Sequence, residues 1–446
     1  MNKFFRILLI LTFITSCSLD NKTGIWSHKE KVKKETKKEK KLNTKKELFT
    51  EELAFKNELN PKLLIRLKEK PRKNSLINNL DNNIGRIKYD GNLKKKSKFK
   101  FSKIKNFNNA DHDLVFNNKN IIFFEKKGTI LNFNSSSKLI WKKNYYNKRE
   151  KKKEPILFFS SDKNTLVVVD SLAKYYALDL KNGDLLWSKT NTSPFNSQIK
   201  IYKDRFFVID FENVLRCYSL KDGNEIWNIK TDQSFIKSQK KLSLIIIDDI
   251  VYFSNSIGDV SAVNIKDGNL IWQTATQGSL VYQEAFYLKI SDIIGYKNSI
   301  LFSNNKNEFF SIDTKTGIVN WKQRVNSHMR PTAVQDIIFT ITEEGFLVII
   351  DNNNGNILRI TDLFEEFIVK FILEKEPLRA KFKPVGFVVG KNNIYLTTDH
   401  GRLFVVDILT GRTKDVIKMD KEKISRPFVL NENLFIIRDD AIIKLN

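Results

Sequence analysis

Short apolar stretches separated by turn-forming residues run through the chain from about residue 95 to its C-terminus. In some stretches apolar and polar residues alternate, as in Lys98-Phe99-Lys100-Phe101, and in others the apolar residues are continuous, as in Leu403-Phe404-Val405-Val406. The first pattern is typical of a β-strand with one buried face, and the second of a strand buried on both faces. The sequence therefore predicts an all-β domain over residues 95–446.

The predicted strands belong to a repeat that is marked by tryptophan and glycine. Five tryptophans recur every 40–49 residues, the last four each follow a glycine by four positions, and two further copies keep the glycine without the tryptophan. A short polar residue, such as Asp179 or Asn264, precedes each glycine by four positions. The repeat residues are Trp141, Trp187, Trp227, Trp272 and Trp321, with Gly183, Gly223, Gly268, Gly317, Gly355 and Gly411.

These residue types predict a structural role for the repeat. Pairs such as Asn182-Gly183 and Asp222-Gly223 indicate tight hairpin turns, because glycine adopts positive φ without strain. The polar residue before the turn can accept a backbone N–H. One indole ring per repeat predicts a wedge between neighbouring units. Cys217 lies at a position that is mostly small in the other copies, so we expect a small buried apolar residue rather than a reactive thiol.

The period and the number of copies predict a β-propeller. Units of about 40–50 residues with several short strands are typical of propeller blades and are longer than most β-solenoid repeats. Seven copies end near residue 415, and residues 424–446 provide about three further strands. A strand around Phe99 would complete that last blade. We therefore predict an eight-bladed propeller of four-stranded antiparallel blades, with the last blade closed by strands from both chain ends.

The N-terminus has the features of a secretory signal. Lys3 and Arg6 precede an apolar run that is too short to span a bilayer, so residues 1–16 are predicted to be a signal peptide. The run ends in Ile14-Thr15-Ser16-Cys17, which resembles the bacterial lipobox and implies cleavage before Cys17 and lipidation of that residue. By the sorting pattern of enterobacterial lipoproteins, Ser18 favours the outer membrane. The alternative is an ordinary signal peptide with an incidental cysteine.

Residues 17–94 are rich in lysine and predict a mostly disordered tether. Short helices are compatible with the capping-box spacing of Thr44 and Glu47 and with Asn60-Pro61 ahead of three leucines. The chain has a formal net charge of +26, concentrated in this region. A basic excess can attract nucleic acid or anionic membranes, but no aromatic stacking platform or recognition helix accompanies it. We therefore expect a solvated tether and no nucleic-acid partner.

The repeat resembles that of a known family. Ala177-Leu178-Asp179, followed by Asn182-Gly183 and Trp187, is similar to the repeat of quinoprotein (PQQ-dependent) dehydrogenases and their non-catalytic relatives. With a lipobox ahead of it, the chain resembles the BamB family of outer-membrane β-barrel assembly lipoproteins over residues 95–446. The resemblance implies a non-catalytic scaffold without a cofactor, lipid-anchored on the periplasmic side of the outer membrane. It also implies that loops on one face bind the periplasmic domains of the barrel-inserting subunit.

The resemblance assigns that contact to the stretches after Trp227 and Trp272. Ile290-Ser291-Asp292 resembles a family pattern Leu-Ser-Asp, which makes Ile290 and Asp292 candidate contacts. In the first stretch the family has two leucines and an arginine, and the candidates here are Phe235, Ile236 and Lys237. Lysine cannot reproduce the bidentate contacts of arginine. Both stretches are also compatible with ordinary solvated connections.

An enzyme is the main alternative, as a PQQ-type or other small-ligand-binding periplasmic propeller. Catalytic relatives hold PQQ and Ca²⁺ in the central channel, which needs converging arginines and acidic groups. No such set stands out, and the run from Asp351 to Gly355 recurs at the hairpin of the repeat, which favours a turn over a calcium loop. The histidines have no metal-ligand spacing; they are His28, His112, His328 and His400. We therefore expect no catalytic residue, metal or cofactor, while a propeller that binds an unknown partner such as cell-wall glycan also stays open.

Overall fold

The computed structural model describes two compact units. They are Met1–Glu52 and Leu53–Asn446. In the first unit only β1 (Ser18–Leu19) and β2 (Trp26–Ser27) are described, and they pair in antiparallel fashion. In the rest of the chain the described residues are 55, 57–71, 86–105, 107–117, 120–232, 238–276, 287–365 and 382–446. Within these ranges no helix is long and apolar enough to cross a membrane.

The second unit is built from eight four-stranded antiparallel sheets, which confirms the predicted propeller. Seven sheets take their strands in chain order, with the first strand innermost. Blade 1 contains β4 to β7 (Val115–Asn117, Asn120–Glu125, Thr129–Phe133, Leu139–Lys143), and blade 2 contains β8 to β11 (Leu157–Asp162, Thr165–Asp170, Lys174–Asp179, Leu185–Thr190). Blade 3 contains β12 to β15 (Lys200–Tyr202, Arg205–Ile209, Val214–Ser219, Glu225–Lys230), and blade 4 contains β16 to β19 (Leu244–Ile247, Ile250–Ser254, Val260–Asn264, Leu270–Thr274).

The remaining blades follow the same order. Blade 5 contains β20 to β23 (Ile294–Tyr296, Ser299–Asn304, Glu308–Asp313, Val319–Gln323), and blade 6 contains β24 to β27 (Thr332–Val334, Ile337–Ile341, Phe346–Asp351, Ile357–Asp362). Blade 7 contains β28 to β31 (Pro384–Val389, Asn393–Thr398, Arg402–Asp407, Thr413–Lys418). The helical elements that lie wholly within the described residues are α1 (Lys148–Lys152) and two 3₁₀ turns (Phe107–Asn109 and Lys126–Gly128).

Blade 8 joins the two ends of the ring. Its inner strands are β32 (Phe428–Leu430), β33 (Asn433–Ile437) and β34 (Ala441–Leu445), and its outermost strand is β3 (Lys95–Lys100). Phe99 of β3 lies opposite Ile442 of β34. The predicted closure by both chain ends is therefore confirmed.

The core lies between the blades, which explains the continuous apolar runs. On β9, Leu166 and Val168 pack towards blade 1, whereas Val167 and Val169 pack with Phe206 of blade 3. Side chains of a strand point alternately to the two faces of its sheet. A middle strand such as β9 is therefore buried on both faces of its sheet, and no polar alternation remains in its sequence.

The repeat turns span more residues than the pairs, such as Asn182-Gly183, at which the sequence predicted tight hairpins. In blade 2 the backbone N–H of Gly183 donates to Asp179 O at 2.8 Å, and Asp179 N–H donates to Asp184 O at 2.9 Å. The side chain of Asp179 also accepts the N–H of Lys181 at 2.7 Å. This cap favours one helical-type turn, and Gly183 then leaves it with φ +75°. All six repeat glycines have positive φ.

Antiparallel strand order gives the ring two distinct faces. One face carries the turns between first and second and between third and fourth strands of each blade, and we call it the hairpin face. The opposite face carries the loops that enter the innermost strands. We call it the mouth face, because these loops surround one end of the central channel.

Residues 57–71, which we call the strap, pack on blades 6 and 7 although they precede residue 95. Leu59 exchanges two backbone hydrogen bonds with Ile360 of β27, at 3.1 and 2.9 Å, and Ile65 N–H donates to Leu409 O at 2.9 Å. The strap contains no helix, contrary to the prediction of one after Pro61. Its backbone groups bond to the ring and therefore do not form an i→i−4 ladder. The helix suggested around Thr44 lies outside the described residues.

A second segment, residues 86–94, also lies against the ring. Arg86 donates to the carbonyls of Glu69 and Lys391, the latter at 3.0 Å, and Ile87 N–H donates to Val389 O at 2.8 Å. Tyr89 is 1% exposed and its ring lies 4.9 Å from that of Tyr395. Parts of the predicted tether thus contribute to the packed unit, because their apolar side chains cover the groove beside blade 7.

Candidate functional site

Each repeat tryptophan spans the interface to the next blade. The indole Nε1 donates to a backbone carbonyl of the following blade at 2.9–3.1 Å in all five cases. The accepting carbonyl lies in the turn that holds the repeat glycine, and the ring lies directly against that glycine. A Cβ added to Gly223 would be 2.6 Å from Cζ3 of Trp187. The Gly–Trp spacing within one copy therefore reflects a contact between successive copies.

Arg359 takes the place of tryptophan in blade 6. It follows Gly355 by four positions, is fully buried, and lies against Gly411 of blade 7 as the indoles lie against their glycines. Its Nη2 donates to Ile408 O at 3.3 Å, the carbonyl equivalent to the indole acceptors. Its Nη1 donates at 2.8 Å to Leu409 O and to Leu63 O of the strap. Burial lowers the pKa of Arg359 to about 10. The additional donors of a guanidinium thus attach the strap where an indole could not.

Charged side chains converge on the mouth face and form the candidate site. They belong to loops that lead into the innermost strands of blades 1, 4, 5, 6 and 8. We call this set the mouth cluster: Asp111, Asp113, Lys240, Lys241, Asp292, Arg330, Lys423 and Arg426.

Ion pairs connect these loops across the end of the channel. Asp113 of blade 1 accepts Lys241, which precedes blade 4, and Arg426, which precedes blade 8, with Arg426 Nη2 at 2.7 Å. Asp111 accepts Lys240, and Lys423 Nζ lies 3.7 Å away from it. Each of these two aspartates therefore faces two cations. Each aspartate and its two cations together carry a net charge of +1.

Ion pairs favour the charged forms of Asp111, Asp113 and Lys240. Burial alone would raise the pKa of Asp111, but the ammonium groups of Lys240 and Lys423 outweigh burial and hold that pKa well below its usual value. The same opposition, with Arg426 first and Lys241 second, lowers the pKa of Asp113. Burial would lower the pKa of Lys240, but Asp111 raises it. Each charge is thus stabilised by its partners.

A repeated serine positions some of these side chains. The hydroxyls of Ser197, Ser291 and Ser425 each accept the backbone N–H of the residue twelve positions later, at 2.8–2.9 Å. This bond ties the loop to the end of the second strand of the same blade. The residues that follow Ser291 and Ser425 are Asp292 and Arg426, which line the mouth. The Ser-polar pair three residues before an inner strand was the sequence signal that could have indicated this site.

The predicted partner-binding residues do not all lie on one surface of the described structure. Phe235, Ile236 and Lys237 lie outside the described residues. Ile290 is 5% exposed and packs in the core of blades 4 and 5. Asp292 lies in the mouth with its side chain 14% exposed, and its Oδ2 is 3.9 Å from Nε of Arg330. Of the candidates that are described, only Asp292 offers a polar group to the mouth face.

The described residues do not fit a resident metal. No group of three or more His, Cys, Asp or Glu is placed to hold one within this part of the chain. His112 stacks on Phe107 at 4.4 Å, and burial lowers its pKa to about 4. Asp351 accepts the N–H of Asn353 at 2.8 Å within the hairpin turn, as its place in the repeat suggested. His28 and Cys17 are outside the described residues, and Cys217 is fully buried with its pKa raised by burial to about 12.

Comparison with the sequences of known proteins finds a family match and a curated relative. A model of the family described as outer membrane protein assembly factor BamB matches residues 126–361. The outer membrane protein assembly factor BamB of Shewanella oneidensis is 32% identical over 107 residues, which are 23% of this chain and 25% of that protein. The chain thus aligns with about a quarter of the length of that curated relative.

Solved structures agree on the fold. The crystal structure of BamB from Moraxella catarrhalis has a TM-score of 0.62 at 13% identity and covers 79% of this chain and 99% of that one. A europium-containing methanol dehydrogenase has a TM-score of 0.63 at 11% identity and covers 84% and 90%. At these identities the likeness shows the propeller fold alone. Because the family model covers more than half of the sequence, the chain belongs to the family of outer membrane protein assembly factor BamB.

Proposed function

We propose that this protein is a non-catalytic periplasmic scaffold of the outer-membrane β-barrel assembly machinery. The observation that carries the proposal is the mouth cluster on a ring of the BamB family. Its charged side chains are held by ion pairs and by the repeated serines, so the surface is rigid before any partner binds. A preformed surface loses little entropy on binding, which favours a scaffold role.

We propose that the barrel-inserting subunit binds on the mouth face. Asp292 lies there, and the stretches after Trp227 and Trp272 both lead into the mouth through Lys240 and Asp292. The hairpin face is partly covered over blades 6 and 7, since the strap contacts Leu409 and Gln335 on that side. Long loops on a rigid ring are common binding elements.

Capture of the partner tests the proposal. We expect the double substitution Ile236→Ala with Asp292→Ala to leave the fold intact and to weaken capture at least tenfold, about 1.4 kcal/mol. Asp292 supplies a charge at the mouth, and Ile236 an apolar group in the first predicted contact stretch. The measurement is a crosslinked pull-down of the barrel-inserting subunit from native membranes, with melting of the purified variant checked in parallel.

Asp336→Ala is the matched control, because Asp336 is an exposed aspartate on the hairpin face and pairs with the exposed Lys297 at 2.6 Å. Capture equal to that of the unaltered chain by the mouth variant, together with loss of capture by the control, would place the partner on the other face.

We further propose that Cys17 carries the lipid that holds the protein at the periplasmic side of the outer membrane. Residues 1–16 are then removed as a signal peptide, and residues after Cys17 link the lipid to the strap. We expect Cys17→Ala to abolish incorporation of a fatty-acid analogue, because the thiol is the acylated group. Labelling of cells that express either form measures this. Equal label on both forms refutes lipidation at Cys17.

A further inference from the structure

A cavity of about 580 Å³ opens beside the mouth cluster. It lies on the mouth face between the loops of blades 2 and 3 on one side and those of blades 1, 4, 5, 6 and 8 on the other. Ligand sites in proteins commonly have volumes of about 300–1,000 Å³. The space is thus large enough for a small ligand or for a side chain of a larger one.

One side of this cavity is basic, although Lys241 pairs with Asp113 and Lys289 Nζ lies 3.9 Å from Glu343 Oε1. Among the described residues that line it there are four lysines and a single aspartate: Lys240, Lys241, Lys289, Lys423 and Asp111. Lys240 and Lys423 both face the carboxylate of Asp111, so this trio has a net charge of +1. Lys240 donates to Asp111, and Lys423 donates to Asn108 O at 3.3 Å, so each ammonium retains N–H donors. Partial burial strengthens the attraction of such a group for an anion.

The other side of the cavity is apolar. Ile156, Phe158 and Phe211 line it and are each partly exposed, and the buried Phe195 belongs to the same apolar cluster as Phe158. Partly exposed aromatic and aliphatic side chains in a concavity favour an apolar group of a ligand. A free inorganic anion would leave this wall unused.

We propose that the cavity binds a carboxylate that is carried on an apolar group. The ligand carboxylate lies beside Lys240 and Lys423. Its apolar group packs on Ile156, Phe158 and Phe211. Asp111 is the internal counter-ion of the two lysines, so it limits the affinity for an external carboxylate. Binding of such a ligand needs no partner protein, although Lys240, Lys423 and Asp111 also belong to the mouth cluster of the proposed scaffold surface.

Two matched probes test the ligand chemistry on the purified full mature chain. N-acetyl-L-phenylalanine carries a carboxylate and an aromatic ring, and N-acetyl-L-phenylalaninamide has the same ring without the charge. We expect the carboxylate to bind saturably and at least tenfold more tightly than the amide in calorimetric or NMR titrations, and to bind more weakly as salt rises. Inorganic phosphate should bind more weakly than the carboxylate probe. Equal binding of the amide, or phosphate binding as tight as that of the carboxylate probe, overturns the proposal.

Two variants with opposite expected effects separate binding from damage to the fold. Lys240→Gln with Lys423→Gln should lower the affinity for the carboxylate probe at least tenfold. Asp111→Asn should raise it at least threefold, because it removes the competing carboxylate. Lys203→Gln with Lys297→Gln, on the hairpin face, should leave it unchanged. An affinity that falls in Asp111→Asn, or that stays constant in the lysine variant, contradicts the assignment.

Discussion

Truncation of Trp187 to alanine is expected to lower the free energy of unfolding by about 3–5 kcal/mol, the range for large core aromatic side chains, towards its lower end because this ring is only partly buried. The ring packs between blades 2 and 3, where it stacks on Phe206 at a centroid distance of 6.0 Å and donates to Leu220 O at 3.1 Å. Removal leaves a cavity at the blade interface and an unpaired carbonyl. Urea denaturation of the purified chain measures the loss.

A double-mutant cycle with Gly223 shows whether the loss of stability comes from the contact between the indole and this glycine. Gly223→Ala alone places a Cβ 2.6 Å from the indole and in a backbone conformation with φ +69°, so it should also destabilise the ring. In the Trp187→Ala background the clash is gone and only the cost of positive φ remains, about 1–2 kcal/mol. We therefore expect the two substitutions together to cost less than the sum of their separate effects.

Leu186→Ala is the matched control, since this neighbouring side chain is 53% exposed. It should change stability by no more than about 0.5 kcal/mol. If Trp187→Ala leaves denaturation unaltered while it changes binding of a partner, the tryptophan has a functional rather than a structural role.

Replacement of Arg359 by alanine should destabilise the ring by about 2–4 kcal/mol and release the strap. The guanidinium satisfies the carbonyls of Leu63, Leu409 and Ile408. Each buried carbonyl left without a donor costs about 1–3 kcal/mol, and the relief from burying a charge offsets part of that cost. Denaturation gives the stability, and tryptic cleavage at Lys62 and Arg66 reports release of the strap.

Two further variants show whether Arg359 acts through the strap. Arg359→Trp restores the indole of the repeat but has no second donor for Leu63 O. We therefore expect the strap to be cleaved more rapidly than in the unaltered chain. The loss of stability should be smaller than in Arg359→Ala. Glu58→Gln removes only the partly exposed ion pair with Arg412, in which Nη1 and Oε1 are 2.6 Å apart, and should cost about 1 kcal/mol or less. A strap that resists cleavage in both Arg359 variants would show that its other contacts are sufficient.

The architecture could be predicted because its determinants are local and repeated. Strand patterns, turn glycines and one indole per copy recur in register from Trp141 to Trp321, and the alternation around Phe99 was enough to indicate the closing strand. The copies without tryptophan showed that the repeat continues. Their register places Arg359 at the indole position, but it did not show that the guanidinium binds the strap, because Leu63 lies about 300 residues earlier in the chain.

The mouth cluster could not be predicted as a unit. Asp113, Lys241 and Arg426 are far apart in the sequence, and each resembles a solvated loop residue when it is considered alone. Asp292 was proposed from a family resemblance, and its burial beside Arg330 became visible only in the ring. The cavity beside Lys240 could not be predicted for the same reason, since its two walls come from blades that are distant in the chain.

The sequence by itself determined the strands, their grouping into blades, the turn positions and the closure of the ring. The strands and turns depend on side-chain periodicity and on backbone preferences within about ten residues, and the closure was inferred from the number of strands at the two chain ends. The tertiary structure decided which blade each indole contacts, where the strap docks, and which charges meet at the channel end. Such contacts depend on the curvature that brings blades 1, 4 and 8 around a common axis, and residues that are distant in sequence carry no local pattern to record it.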